Sequence, residues 1–195
     1  MNKLIFATNN QHKVEEIKTL IDDLFDVVSL KEAGISIDIP EPHATLEANA
    51  REKSETIFKL TGQNCFAEDT GLEAEALEGE PGVKSARYAG EGRDFNDNIN
   101  KLLEGLKGKE NRKARFRTVI SLILNGAEHQ FTGVCEGTIL TEPKGEKGFG
   151  YDPVFAPAGE AKSFAEMTIE EKNRFSHRKK ATAQLLAFLS LNAKN

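Results

Sequence analysis

The chain has 195 residues, 38% of them hydrophobic and 29% charged, with a formal net charge of −5. No stretch approaches the ~20 apolar residues of a membrane span, the first residues lack the apolar core and cleavage site of a signal peptide, and no long basic run offers a track for nucleic acid. A cytoplasmic protein with neither a membrane nor a nucleic-acid partner is therefore expected. An anionic ligand would have to be met by local cations or a metal, because the overall field repels it. The two cysteines, Cys65 and Cys135, lie in apolar strand-like runs and read as free buried thiols.

In chain order, residues 3–7 predict a short buried strand, and Val14, Ile17, Leu20, Ile21 and Leu24 recur at helical spacing. Between them stands Thr8-Asn9-Asn10-Gln11-His12-Lys13. A strand, a polar turn and a helix start aim backbone N–H groups and a helix dipole at an anion, and asparagine tolerates the left-handed backbone such turns use. The turn contains no glycine, so it is not a Walker loop, and it reads equally as an ordinary connection. Residues 27–30 and 35–39 predict short strands, after which Pro40 and Pro42 hold Glu41 in a stiff extended segment. A helix is expected over about 45–60, with Leu46, Ala50, Ser54, Ile57 and Phe58 inward. Asn49 and Lys53 share a neighbouring face, which by itself reads as solvated.

Asn64-Cys65-Phe66-Ala67 predicts a brief strand ending abruptly in Glu68-Asp69-Thr70-Gly71. Two adjacent carboxylates there can hold a hard cation or merely cap a turn. Neighbouring strand residues point to opposite faces, so one carboxylate would ligate while the other supports it or faces elsewhere. Glu80-Pro81-Gly82 marks a turn before the loop of Ser85 to Tyr88. Asp94 can cap a helix with Ile99, Leu102, Leu103 and Leu106 inward. Residues 115–124 and 131–140 predict a hairpin about Asn125-Gly126, with Gly133 and Gly137 at a bend or bulge. Tyr88 and Phe95 look exposed and suit a subunit or lobe contact.

A polar loop over 141–148 leads into Phe149-Gly150-Tyr151-Asp152-Pro153, where an aromatic flanked by glycine can lie flat against a planar ligand. Thr168-Ile169-Glu170-Glu171 is a capping box for a short helix that contains Lys172. Ser176 caps the last helix, whose Ala181, Leu185, Phe188 and Leu189 pack inward. That places His177 and Arg178 in its first turn, where the dipole disfavours cations unless an acceptor is supplied. The pair offers donors to the rim of a heterocycle, although His177 alone also reads as a packing residue.

In their order and spacing, Thr8-x-Asn10-x-x-Lys13, Asn49-Ala50-x-x-Lys53, Glu68-Asp69-Thr70-Gly71-Leu72, Pro81-Gly82-x-x-Ser85-Ala86-Arg87-Tyr88, Gly148-Phe149-Gly150-Tyr151-Asp152-Pro153-x-Phe155 and Glu171-Lys172-x-x-x-Ser176-His177-Arg178 resemble the Ham1 family of inosine triphosphate pyrophosphatases. The resemblance covers essentially the whole chain. Departures are small: Asn9 replaces a frequent glycine, and Glu68 and Thr70 replace Asp and Ser. Asparagine can adopt the same positive-φ geometry.

The resemblance implies one α/β domain of the ITPase/Maf-like type, an elongated, twisted mixed sheet flanked by helices, with two lobes around a central cleft. It implies a homodimer that hydrolyses XTP, ITP and dITP to the monophosphate and pyrophosphate with Mg²⁺. Asp69 would be proton acceptor and metal ligand, with Glu41 and Glu68 as further metal carboxylates. Thr8, Asn9, Asn10, Gln11, His12 and Lys13 would wrap the triphosphate, with Lys13, Lys53 and Lys172 as its cations and Thr70 beside it. At ~4 Å and an effective dielectric near 20, each lysine–phosphate pair is worth about 4 kcal/mol before desolvation, enough to outweigh the diffuse field. Phe149 would stack on the purine within the Gly150-Tyr151 segment, and Asp152, His177 and Arg178 would address its edge. A Maf-like pyrophosphatase should lack the Phe149 and His177 motifs, and a non-catalytic nucleotide binder should dispense with Glu68 and Asp69.

Overall fold

The computed structural model describes residues 2–21 and 25–192; Leu24, grouped above with the first helix, lies outside them. Six strands are found among the described residues: β1 (Asn2–Phe6), β2 (Phe25–Ser29), β3 (Cys65–Ala74), β4 (Lys113–Leu124), β5 (Ala127–Ile139) and β6 (Phe155–Pro157). They hydrogen-bond in the order β2-β1-β3-β4-β5-β6. β1 runs parallel to both neighbours, with Leu4 opposite Val27 and Ile5 opposite Cys65. Parallel pairing requires crossovers, supplied by α1 (Gln11–Lys18) before β2 and α2 (Leu46–Thr61) before β3. Asn125 and Gly126 have φ of 53° and 83°, as a two-residue hairpin turn requires, and join β4 to β5. β6 is antiparallel to β5. A Cβ on Gly137 would lie 2.2 Å from the Ala156 carbonyl oxygen, so this glycine serves close strand approach.

The chain divides into two compact units. The first comprises Met1–Asp69, Thr118–Gly133 and Arg178–Asn195; the second comprises Thr70–Arg117 and Val134–His177. β3, β4 and β5 each give one part of their length to either unit.

In the first unit both faces of the sheet are covered. Leu4, Phe6 and Phe66 pack with Val14 and Ile17 of α1 and with Ala181, Leu185 and Leu189 of α5 (His177–Asn192). Ile5, Ala7, Cys65 and Ala67 pack on the opposite face with Ile57 of α2. The strand period of two sorts these residues. It sorts the next two residues of β3 as well, since Glu68 shares a face with Phe66 and Asp69 with Ala67. The second unit has its own core, including Leu72, Ile99, Leu102, Phe116, Tyr151, Phe155 and Phe164. It contains α3 (Phe95–Gly105), capped by Asp94, and the short α4 (Ile169–Lys172), which starts in the Thr168–Glu171 capping box.

Several expectations are corrected. Residues 35–39 alternate in burial but form no strand; the Ile37 carbonyl instead accepts from the Asn9 side-chain amide at 2.7 Å. β3 does not stop at Glu68 but continues to Ala74, because both carboxylates find cations without leaving the sheet. Within it, a Cβ on Gly71 would approach the Gly82 carbonyl oxygen to 2.6 Å. Asn9 and Asn10 are not in left-handed backbone; Asn10 is an extended N-cap at φ −85°. Asn49 and Lys53 are buried rather than solvated. Tyr88 is buried too, its hydroxyl donating to Glu80 at 3.0 Å, whereas Phe95 is 42% exposed. Cys65 and Cys135 are free and buried, as expected. No helix among the described residues is long and apolar enough to cross a membrane.

Candidate active site

The first unit assembles two ion clusters, one on each face of β3. Thr8 to Lys13 form the turn from β1 into α1. Asn10 caps the helix by accepting from the Lys13 N–H at 3.2 Å, and Thr8 Oγ1 accepts from the Asn10 N–H at 3.1 Å. Gln11 and His12 are exposed on the first turn. The cap directs the Lys13 side chain to Glu68, with Nζ 3.1 Å from Oε1. From the head of α5, Arg178 reaches the same carboxylate, donating through Nε at 2.8 Å to Oε2 and through Nη2 at 2.8 Å to Oε1. Its Nη1 donates to Glu16. Burial pushes the Glu68 pKa up, but the facing charges of Arg178 and Lys13 outweigh it and hold the carboxyl well below the usual range. Burial opposes the charge of Arg178 in the same way, and Glu68 and Glu16 more than restore it. The acceptor that the helix dipole demanded is thus Glu68, with Glu16 as a second that nothing in the sequence marked beyond its lying three residues after Lys13.

On the other face, Lys53 of α2 bridges two carboxylates, with Nζ 2.5 Å from Glu41 Oε1 and 3.2 Å from Asp69 Oδ1. Burial works against the Lys53 charge, and the two carboxylates overcome it, raising its pKa. Burial also raises the Asp69 pKa, more than Lys53 and Lys13 lower it, and Glu41 adds to the rise. Asp69 is 6% exposed, and its Oδ2 is buried without a hydrogen-bond partner. A buried carboxylate oxygen with nothing to accept from is where a cation or a water proton fits. Among the described residues no three Asp, Glu, His or Cys side chains converge as a complete metal cage. Mg²⁺ ordinarily takes one or two protein carboxylates and completes its shell with water and substrate phosphate. Glu41 and Asp69 suit that mode, whereas Glu68, expected beside them, is held by two cations on the opposite face.

The second unit gathers rings around a different ion pair. Gly148 and Gly150, at φ 74° and 61°, fold residues 148–152 so that Asp152 Oδ2 accepts from the Phe149 N–H at 3.0 Å. A Cβ on Gly148 would collide with that oxygen at 2.1 Å. Lys172 donates to the same oxygen at 2.8 Å and stands 5.3 Å over the rings of both Phe149 and Phe164. Lys172, grouped from the sequence with Lys13 and Lys53, therefore belongs to the ring cluster. The Phe149 ring is half-buried, with exposed Phe95 tilted beside it at 6.4 Å. The Tyr151 hydroxyl donates to the Ser85 carbonyl at 2.7 Å, pinning the segment from beneath. His177 is buried and stacks on Phe116 at 4.7 Å and 15°, beside Phe164. Phe116 carries no signal beyond its apolar place on a strand. Thr70 is half-buried at the first position of this unit.

The chain is similar to proteins named dITP/XTP pyrophosphatase from Porphyromonas gingivalis, at 54% identity covering 97% of this chain and 98% of that one, and from Flavobacterium psychrophilum, at 48% covering 95% and 98%. Among solved structures it is similar to the Staphylococcus aureus Ham1 protein, with a TM-score of 0.89 at 38% identity covering 98% of this chain and all of that one. It is also similar to the nucleoside-triphosphatase, dITP/XTP pyrophosphatase, of Mycobacterium abscessus, with a TM-score of 0.77 at 38% identity covering 94% and 98%. The model of the Ham1 family matches residues 4–188, so the match takes in both ion clusters and the ring cluster, and the chain belongs to that family.

Proposed function

We propose that the chain is a nucleoside-triphosphate pyrophosphatase that hydrolyses XTP, ITP and dITP to the monophosphate and pyrophosphate, working with Mg²⁺ in the cytoplasm as a homodimer. Relatives bearing the name dITP/XTP pyrophosphatase over nearly their whole length support the reaction class. The observation that carries the chemistry is the buried, unpartnered Oδ2 of Asp69 beside Lys53 and Glu41.

Glu41 and Asp69 would hold the cation. Bound there, Mg²⁺ would supply charge neutralisation for the phosphates. Asp69 orients the attacking water and accepts its proton through Oδ2, the oxygen left without a hydrogen-bond partner. Lys53 and Lys13 hold phosphate oxygens, with the turn from Thr8 to His12 offering backbone donors. Glu68 fixes the position of Lys13.

The ring cluster reads the base. A purine laid on Phe149 meets donors from Lys172, which has no acceptor to offer, and from His177. Hypoxanthine and xanthine present a 6-carbonyl to such donors, whereas adenine presents an amino group donor to donor and leaves buried polar groups unpaired. Arg178, bound to Glu68 and Glu16, supports this end by fixing the first turn of α5 rather than by reaching the base with the same nitrogens.

Pyrophosphate release from XTP, ITP, dITP, GTP and ATP, with and without Mg²⁺, tests the reading. Turnover of the first three and little of ATP is expected, only with the metal. Orthophosphate as product, or ATP turned over as fast as ITP, would overturn it.

A further inference from the structure

We infer that Asn49 is a positioning residue for Glu41, an inference that rests on Glu41 being a cation ligand. Asn49 and Lys53 are four residues apart on α2 and therefore lie on one face of the helix. Lys53 bridges Glu41 and Asp69. Asn49 is fully buried and commits both ends of its amide to one residue, Oδ1 accepting from the His43 N–H at 2.9 Å and Nδ2 donating to the His43 carbonyl at 3.1 Å.

Residues 40–42 belong to no helix or strand, and Pro40 and Pro42 have no N–H to donate. Their fixed φ angles make the segment stiff, so fixing His43 fixes the backbone at Glu41 two residues away. A short side chain that donates and accepts in one plane is what a bidentate grip on a backbone N–H and C=O requires. Aspartate lacks the donor and leucine lacks both groups. Asn49 and Lys53 thus act as a pair from one helix face, one setting the backbone that carries Glu41 and the other its carboxylate.

The test uses the full chain and Mn²⁺ as probe, following free Mn²⁺ by electron paramagnetic resonance so that affinity is read without turnover. Loss of a supporting hydrogen-bond partner weakens metal binding by roughly 10–100-fold, and that loss is expected for Asn49→Ala, with faster amide exchange at His43. Glu41→Gln should weaken binding at least as much. Asn49→Ser, which keeps a polar group but cannot span both partners, gives the same reading if the alanine variant does not fold. A merely structural role would lower the melting temperature and leave the Mn²⁺ affinity of the folded protein unchanged. Wild-type affinity in a folded Asn49 variant, with Glu41→Gln weakened, overturns the positioning role alone. Wild-type affinity in Glu41→Gln overturns the assignment of Glu41 as a ligand, and the inference falls with it.

Discussion

Glu68 and Asp69 are adjacent carboxylates on one strand, both nearly inaccessible, yet the two faces of β3 put them in opposite states. Glu68 meets Arg178 through three hydrogen bonds that use both its oxygens and Lys13 through a further contact, and its pKa is driven down. Asp69 meets Lys53 through one oxygen only, and its pKa is driven up. Burial opposes ionisation at both, so what differs is the number and quality of the cations that answer it. One face uses its charge to hold the fold together. The other leaves an oxygen unsatisfied, the condition of a group that must accept something during a reaction.

Exchanging each carboxylate for its amide breaks or sharpens that contrast. The largest effect is expected for Asp69→Asn, a loss of turnover of roughly 10²–10⁴-fold, the usual contribution of a general base, with the melting temperature unchanged or higher. Wild-type turnover, or an unfolded variant, would erase the distinction between the faces. Glu68→Gln should act through stability instead, because removing one partner of a buried ion pair strands the other. A cost of about 3–5 kcal/mol is expected in urea unfolding. A variant as stable as wild type would show that Glu68 does not anchor the fold.

The smallest effect is the pH dependence. A carboxyl whose folded pKa lies below its unfolded value of about 4.3 contributes stability fully present above that pH and lost as pH falls through the folded pKa. The urea midpoint of the wild type should therefore drop steeply below about pH 4, and that of Glu68→Gln less so. Equal slopes would mean that Arg178 and Lys13 do not depress Glu68.

Much of this arrangement is legible in the chain because it is local. The caps at Asp94 and Thr168 lie within a few residues of what they bind, the Asn125-Gly126 turn announces its hairpin, and the opposite facing of Glu68 and Asp69 follows from strand geometry alone. The expected strand over 35–39 fails because alternation reports burial, and burial does not need a ladder partner when Asn9 satisfies a carbonyl from the side. Solvation of Asn49 and Lys53 fails because helical spacing shows that two polar residues share a face without showing what covers it.

Sequence by itself therefore determined most of the elements, the caps at Asp94 and Thr168, the free thiols and the family motifs, all of which depend on backbone preference and nearest neighbours. Only the tertiary structure decided which cation answers which carboxylate. Lys53 comes to Asp69 from 16 residues away and Arg178 to Glu68 from 110. Coulomb attraction falls with distance in space, not along the chain, so the partner that sets each pKa is chosen by the fold.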